Sequence, residues 1–147
     1  MTIQVINPQS KAEWEIYYQL RWQILRAPWQ QPHGSEKDAQ EAESFHVMAM
    51  DGSLPVGVGR LHANSQDEMQ IRFMAVIEPR RGQGVGALLL AALEQEALRR
   101  QARSIVLQAR LEAVEFYQAH GYHITGPGNI LFGEIQHRYM QKILVGK

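Results

Sequence analysis

The sequence contains no cysteine among its 147 residues. Disulfides, thiolate metal sites and a cysteine nucleophile are therefore excluded, and the composition is compatible with a reducing compartment. The chain also lacks an excess of charge of either sign, because 15 Lys and Arg residues balance 15 Asp and Glu residues. Proteins that bind nucleic acids or membrane surfaces through bulk charge carry a basic excess, so this balance argues against both kinds of partner.

Long apolar runs are absent as well. No run in the sequence approaches the roughly 18 residues that a membrane-spanning helix requires. The segment 1–8 lacks the basic and then apolar pattern of a secretory signal. The length fits one domain, and at this size about two thirds of the unfolded surface can be buried. We therefore expect a single cytoplasmic domain over residues 1–147.

Hydrophobic periodicity divides the chain into strands and helices. A capping box at Ser10-Lys11-Ala12-Glu13 opens the first helix, and Pro28 ends it. Asp51-Gly52-Ser53 is typical of a hairpin turn, and Gly126-Pro127-Gly128 is expected to connect the last two strands. Helices are predicted in the segments 10–27, 38–43, 86–101 and 112–120, and strands in 2–6, 45–50, 55–62, 69–76, 104–109, 122–125 and 135–145. This order predicts a mixed α+β sheet with one crossover through a helix.

A glycine-rich turn, Arg81-Gly82-Gln83-Gly84-Val85-Gly86, connects the strand at 69–76 to the helix at 86–101. Glycines leave the backbone open to a close ligand, and they permit the positive φ angles that point successive N–H groups at an anion. The first turn of the helix adds unpaired N–H groups and the positive end of its dipole. Together with the neighbouring Arg80, these features predict a phosphate-binding turn.

Two familiar phosphate motifs fit this turn poorly. The nucleotide P-loop requires a lysine and then serine or threonine after its last glycine, whereas Ala87 and Leu88 follow Gly86. The dinucleotide fingerprint places glycines at its first, third and sixth positions, whereas here they lie at the first, third and fifth. A glycine turn that binds no ligand is the remaining alternative.

The same turn resembles the signature of the GNAT superfamily of N-acetyltransferases, Arg/Gln-x-x-Gly-x-Gly/Ala. Arg81, Gly84 and Gly86 occupy its fixed positions, and an apolar strand precedes it, as in that family. A second segment, Ala113-Val114-Glu115-Phe116-Tyr117-Gln118-Ala119-His120-Gly121-Tyr122, is similar to the family pattern Ala-x-x-Phe-Tyr-x-x-x-Gly-Phe/Tyr. More loosely, the outline of the chain, including His137-x-x-Met140-x-Lys142, is similar to small bacterial members of the ElaA type.

This resemblance implies a GNAT fold, with a mostly antiparallel twisted sheet of about six or seven strands and about four flanking helices. The sheet is expected to splay between its fourth and fifth strands. The implied cosubstrate is acetyl-CoA, whose pantetheine arm would bond the backbone of Met74, Ala75 and Val76. Its pyrophosphate is expected on Arg81, Gly82, Gln83, Gly84, Val85, Gly86 and Ala87. The implied reaction transfers an acetyl group to a primary amine of a small molecule or peptide by direct attack in a ternary complex, and a homodimer is compatible with it.

The implied chemistry needs an oxyanion donor, an acid for the departing thiolate and a base for the amine. The backbone N–H of Val76 is the expected oxyanion donor. Tyr117 is the expected general acid, with packing in the core as the alternative. Relatives with a strand glutamate would have it at Gln70, whose amide cannot accept a proton. The base therefore stays open: Glu68 is retained as a candidate, with His62, Glu112 and Glu134 as alternatives.

The acceptor site is expected across the splay from the cofactor. Trp29, Arg60 and Arg72 are its candidate contacts, each alternatively a core aromatic or a solvated charge. No metal site is expected, because Gly121 interrupts the helical spacing between its neighbouring histidines. A non-catalytic acyl-CoA-binding or partner-binding module on the same fold is the alternative function.

Overall fold

A computed structural model of the chain describes residues 2–144. The strands within that range are β1 (Ile3–Ile6), β2 (Phe45–Asp51), β3 (Leu54–Ala63), β4 (Glu68–Val76), β5 (Ser104–Arg110), β6 (His123–Leu131) and β7 (Ile135–Ile143). The α-helices there are α1 (Lys11–Leu25), α2 (Val85–Arg99) and α3 (Val114–Ala119). The strands form one sheet in the order β1-β2-β3-β4-β5-β7-β6, in which only β4 and β5 pair in parallel. The expected mixed, mostly antiparallel fold is confirmed.

Helices cover both faces of the sheet, and the alternation of side chains along each strand decides which helix they meet. In β2, Val47 and Ala49 belong to the larger core with α2 and α3, whereas Met48 between them belongs to a smaller core with α1. Leu89 and Leu93 of α2 are fully buried in the larger core. The sheet therefore has two chemically separate faces, and a ligand inserted between two strands can meet both.

The start of α1 follows the predicted capping box. The Ser10 Oγ accepts a hydrogen bond from the Glu13 backbone N–H at 3.1 Å, and the Glu13 carboxylate accepts one from the Ser10 N–H at 3.2 Å. The helix ends before Pro28, which lies in a 3₁₀ turn at Ala27–Trp29. The helix predicted at 38–43 is shorter than expected, because only the 3₁₀ turn Glu41–Glu43 forms there.

The splay between β4 and β5 has a local cause in β4. The two strands pair only from Glu68 to Ile71, and their remaining residues diverge. At the point of divergence Phe73 has a left-handed φ of 56°, and the pairing with β3 shifts register. This is a β-bulge, which bends the strand and increases its local twist. The bend turns the end of β4 away from β5 and opens a cleft in the sheet.

The predicted turn at Gly126-Pro127-Gly128 is wrong. The strand continues through these residues as β6, and the chain turns instead at Phe132 and Gly133, whose φ angles are 53° and 75°. Because β6 is an edge strand with two register shifts, Pro127 can lie in it without breaking a central ladder. The last residue of the strand predicted at 135–145 lies outside the described residues.

Candidate active site

A cleft of about 1130 Å³ occupies the splay between β4 and β5. The end of β4 and the glycine-rich turn form one wall, and β5 with α3 forms the other. Both motif segments contribute to its lining: Met74, Ala75, Val76, Arg81, Gly82, Gly84, Gly86, Ala87, Phe116 and Tyr117. The fold therefore brings the two segments together around one cavity, although nearly thirty residues separate them in sequence.

The glycine-rich turn owes its shape to backbone conformation. Gly82 and Gly84 have φ angles of 77° and 90°, in the left-handed region that favours glycine. Gly84 is the N-cap of α2 and lines the cleft, so the N–H groups of the first helical turn lie beside the cleft without helical partners. Gly86 has a different role: a Cβ there would lie 3.3 Å from the Phe116 ring, so glycine lets α3 pack closely on α2.

The remaining turn residues contribute differently from one another. The Val85 side chain is 1% exposed and lies in the larger core, so only its backbone is free to meet a ligand. The Gln83 side chain donates to the carbonyl of Pro79 at 3.2 Å. Arg81 is exposed, and its Nε donates to the Val76 carbonyl at 3.0 Å. Arg81 is therefore the turn residue whose charge adjoins the cleft.

The end of β4 presents a free backbone edge. The N–H of Ile77 donates to the Val56 carbonyl in β3 at 3.0 Å, so the polar groups of the preceding residue, Val76, point the opposite way. The bond from Arg81 to the Val76 carbonyl agrees with that direction. The Ala75 carbonyl instead faces β3, so it is not available at the open edge.

Tyr117 lies on α3 with its ring packed and its hydroxyl at the cleft. The residue is 7% exposed, and its ring makes edge contacts with Phe116 and Tyr122 at centroid distances of 5.1 Å and 5.6 Å. Among residues 2–144 no group hydrogen-bonds to the hydroxyl. Burial raises the pKa of Tyr117 well above its ordinary value, so the phenol stays protonated at neutral pH. Tyr117 can therefore pack in the core and also act as a general acid, because its ring is buried while its hydroxyl borders the cavity.

On the α1 side of the sheet the cleft has a second, polar wall. Ile105, Leu107 and Ala109 of β5 face the larger core, so Gln108 and Arg110 between and after them face α1. This wall lies across the sheet from Tyr117. It is the part of the cleft where the sequence leads us to expect the acceptor.

Three guanidinium groups and two aromatic rings dominate this second wall. The Arg110 guanidinium lies 4.8 Å from the Trp29 ring centroid. Those of Arg72 and Arg26 lie 4.8 Å and 5.5 Å from the Phe73 ring. The sequence singled out Trp29 and Arg72, both of which line the cleft. It missed Arg26 and Arg110, which no motif marks.

Arg60, the third predicted acceptor contact, lies elsewhere. Its side chain is fully buried and donates to Asp38 at 2.6 Å and to Glu41 at 2.8 Å, behind the cleft lining. Glu41 also binds the fully buried Arg21 at 2.9 Å. Burial raises the pKa of Asp38, but its hydrogen bonds to Arg60 and the backbone, with the Arg60 charge, outweigh that effect and lower the pKa to about 2. These ion pairs fix the 36–44 segment to the sheet.

The candidate bases separate by position. Glu68 lies at the closed, paired end of β4, where its carboxylate accepts from Asn64 at 2.9 Å. His62 is 4% exposed, and burial, followed by the charges of its arginine neighbours, lowers its pKa. Neither of these nor Glu134 lines the cleft, whereas Glu112 does. Gln70 also lines it, with an amide that cannot act as a base.

His137 is a further candidate base that sequence reasoning passed over. It lies on β7 opposite Arg110 and lines the cleft. Its Nδ1 lies 3.0 Å from the Asn129 carbonyl and 3.1 Å from the Ile135 carbonyl. Because carbonyls only accept, Nδ1 carries the proton and Nε2 is left as the accepting nitrogen. The strand register that brings it to the cleft is not visible in the sequence.

Residues 2–144 contain neither a metal-binding cluster nor a membrane-spanning helix. Across 2–144 no group of three or more histidine, aspartate or glutamate side chains is placed to hold a metal ion. Over the same part of the chain, no helix is both long and apolar enough to cross a membrane.

Comparison with known proteins assigns this geometry to a class. Residues 14–122 match the profile of the Acetyltransferase (GNAT) family. A curated relative from Bacillus subtilis (strain 168), called uncharacterized N-acetyltransferase YjcF, is 34% identical over 111 residues, which span 76% of this chain and 79% of that protein. The chain belongs to the GNAT acetyltransferase family.

Solved structures agree with the fold. Escherichia coli ElaA has a TM-score of 0.80 at 19% identity, covering 96% of this chain and 98% of that one. An aminoglycoside 6'-N-acetyltransferase complexed with coenzyme A has a TM-score of 0.81 at 18% identity, covering 100% of this chain and 99% of that one. At these identities the likeness concerns the fold, and the loose resemblance to the ElaA type is matched by a shared architecture.

Proposed function

We propose that the protein is an N-acetyltransferase that moves the acetyl group of acetyl-CoA to a primary amine by direct attack in a ternary complex. The observation that carries the proposal is one cleft that contains the glycine-rich turn, the open edge of β4 and the Tyr117 hydroxyl. Each of these three features matches a different part of acetyl-CoA or of the reaction. A metal is not needed for any of these roles.

The turn and the strand edge together suit the shape of the cosubstrate. The N–H groups that follow Gly84 would bind the pyrophosphate, and Arg81 would add a charge-assisted hydrogen bond. The open edge at Val76 would pair with the pantetheine amides as an added strand does. The Ala75 carbonyl faces β3, so we assign the pantetheine hydrogen bonds to Met74 and Val76 among the strand residues predicted for this role.

Two groups of the chain would stabilise the reacting thioester. The outward-facing N–H of Val76 can donate to the oxyanion that forms when the amine attacks the carbonyl. Tyr117 can give its proton to the sulfur as the C–S bond breaks, because its raised pKa keeps the phenol protonated at neutral pH and the negative charge that builds on the sulfur offers the proton an acceptor. The new C–N bond forms in the attack, and the C–S bond breaks when the oxyanion collapses to the amide carbonyl and releases the sulfur.

The proton on the attacking amine needs an acceptor on the opposite wall. We assign this role to Nε2 of His137, because its Nδ1 proton is committed to two backbone carbonyls and the ring lines the cleft. Glu112 lines the cleft as well, but its side chain is exposed at the mouth. Glu68 would have to act from the closed end of β4.

A thiol-release assay tests the proposal. Purified protein is mixed with acetyl-CoA and a panel of primary amines, and free coenzyme A thiol is measured over time. We expect amine-dependent release that is strongly reduced in Tyr117→Phe. Binding of acetyl-CoA without release for any amine would instead favour a non-catalytic acyl-CoA-binding module.

A further inference from the structure

The polar wall of the cleft carries positive charge that the described residues compensate only in part. Arg26 donates to two neutral carbonyls, those of Ser35 at 2.9 Å and Leu25 at 3.0 Å. Arg110 lies against the Trp29 ring. Within residues 2–144, neither Arg26 nor Arg110 has a carboxylate within 4 Å.

Arg72, the third guanidinium on this wall, is only partly compensated. Its partner is Asp38 at 3.3 Å, but that carboxylate already binds the buried Arg60 at 2.6 Å. Glu36 acts on Arg26, Glu112 on Arg110 and Glu41 on Arg72 from beyond ion-pair distance. Among the described residues, the three cations therefore have one ion pair between them, and its carboxylate is shared with Arg60.

Holding these cations together costs free energy when no anion accompanies them. Burial, followed by the like charges of Arg110, Arg72 and Arg21, lowers the pKa of Arg26. Burial likewise lowers the pKa of Arg110. Desolvated like charges cost folding free energy unless an anion joins them. A wall of this kind suits a ligand that carries negative charge.

We propose that the acceptor amine carries an anionic group, a carboxylate or a phosphate, which Arg26, Arg72 and Arg110 bind on the polar wall of the cleft. Guanidinium groups match both anions because their planar forks donate two parallel hydrogen bonds. The ring of Trp29 supplies an apolar surface beside them for the carbon chain of the acceptor. The inference rests on the proposed function and names the substrate class of the same site.

This charge arrangement argues against a polycationic acceptor. The aminoglycoside 6'-N-acetyltransferase shares the fold, but an aminoglycoside entering this cleft would meet three arginines. Like charges brought together in a partly desolvated site repel strongly. The shared architecture therefore does not carry over to a shared acceptor.

Matched pairs of amines test the substrate class. Glycine is compared with glycinamide, β-alanine with β-alaninamide, and phosphoethanolamine with ethanolamine, and kanamycin serves as the cationic amine. We expect kcat/KM to be at least about tenfold higher for one anionic member than for its neutral partner. The carboxylate and phosphate pairs separate the two anions, and a preference for the neutral or cationic amines would overturn the inference.

Arginine variants locate the anion site. Arg110→Gln and Arg72→Gln should each raise the KM of the anionic acceptor by about ten- to a hundredfold, while the KM of acetyl-CoA stays within about twofold. Arg110→Lys should restore part of the loss, because the charge returns without the fork. Arg103→Gln, at an arginine whose side chain is 76% exposed outside the cleft, is the matched control. A raised KM for acetyl-CoA instead would assign these arginines to the cofactor and overturn the inference.

Direct binding separates failure of this inference from failure of the proposed function. The same amines are titrated calorimetrically into the protein saturated with coenzyme A. Anionic amines should bind to the natural chain, and Arg110→Gln should weaken that binding, even if no acetyl transfer is detected. Active turnover of neutral amines without anion binding would sink the inference and leave the acetyltransferase assignment standing.

Discussion

Arg81 donates from its Nε to the carbonyl oxygen of Val76 at 3.0 Å, across the open edge of β4. That carbonyl belongs to the edge on which an added pantetheine arm would form its hydrogen bonds. The arginine must therefore leave Val76 when acetyl-CoA binds, and the pyrophosphate is the nearby anion that would receive it. One side chain thus links the two halves of the cofactor site.

This exchange predicts opposite effects on two ligands. Arg81→Ala should weaken coenzyme A by about ten- to a hundredfold, because a charge-assisted hydrogen bond to the diphosphate is lost. Pantetheine, which has no diphosphate, should bind as well as before or better, because the Val76 carbonyl is free. Calorimetry with both ligands measures this, with Arg103→Ala, at an exposed arginine outside the cleft, as the control. Equal weakening of both ligands would contradict the exchange.

A second prediction separates ligand binding from backbone strain. Gly84→Ala and Gly34→Ala both place a side chain at a left-handed φ, 90° and 100° respectively, with open space around the new Cβ. Each should lower the free energy of unfolding by about 1–2 kcal/mol. Only Gly84→Ala should also abolish the stabilisation by coenzyme A in chemical denaturation. Loss of the coenzyme A stabilisation in both variants would mean that this stabilisation depends on the stability of the fold and not on ligand binding at Gly84.

The role of Tyr117 gives a third prediction. Tyr117→Phe should lower kcat by about a hundredfold with little change in stability, because the hydroxyl has no partner among residues 2–144. Tyr122→Phe is the matched control, since its hydroxyl donates to Glu94 at 2.8 Å outside the cleft lining. That control should lose about 1 kcal/mol of stability and keep its kcat. Steady-state kinetics and denaturation measure the two quantities.

The assignment of His137 predicts a loss of rate in one of two histidine variants. His137→Gln should lower kcat by about a hundredfold, because the attacking amine loses its proton acceptor. His123→Gln, at an exposed histidine on the edge strand, should leave kcat unchanged. Equal kcat values in the two variants would exclude His137 as the base.

The buried ion pairs predict a structural role for Arg60. Arg60→Met should lower the free energy of unfolding by about 3 kcal/mol, because Asp38 and Glu41 lose a buried partner. Arg72→Met, at a side chain that is 43% exposed, should cost less than about 1 kcal/mol. Urea denaturation of both variants measures the difference, and similar losses would contradict the assignment.

The same cluster fixes a pH window. The pKa of Asp38 is lowered from 3.8 to about 2, so its contribution to stability is present above pH 3.8 and disappears as the pH falls through 2. The difference in unfolding free energy between Asp38→Asn and the natural chain should therefore be smallest at the acid end of this window. An equal difference in stability at pH 7 and pH 2 would contradict this account.

Local sequence signals predicted most of the fold. The capping box, the hairpin glycine and the apolar stripe of α2 depend on neighbouring residues, and each corresponding element forms. The turn at Gly126–Gly128 was wrong because an edge strand tolerates glycine and proline, and edge position is a property of the whole sheet.

The sequence predicts the cofactor wall of the cleft better than the acceptor wall. The cofactor wall is one continuous segment with a glycine pattern, so the sequence marked it. The acceptor wall is assembled from the end of α1 and from β4, β5 and β7, through the splay and the register between strands. No local sequence motif marks Arg26, Arg110 or His137 as part of the site. Nothing in the sequence distinguishes Arg60, which is buried, from Arg72, which lines the cleft.

A calorimetric titration of the purified protein with acetyl-CoA tests the central claim most directly. If the amides of the glycine-rich turn hold the diphosphate, one site per chain should bind acetyl-CoA, with the affinity lost in Gly84→Ala and kept in Gly34→Ala. No heat of binding at millimolar acetyl-CoA, or unchanged affinity in Gly84→Ala, would contradict the account.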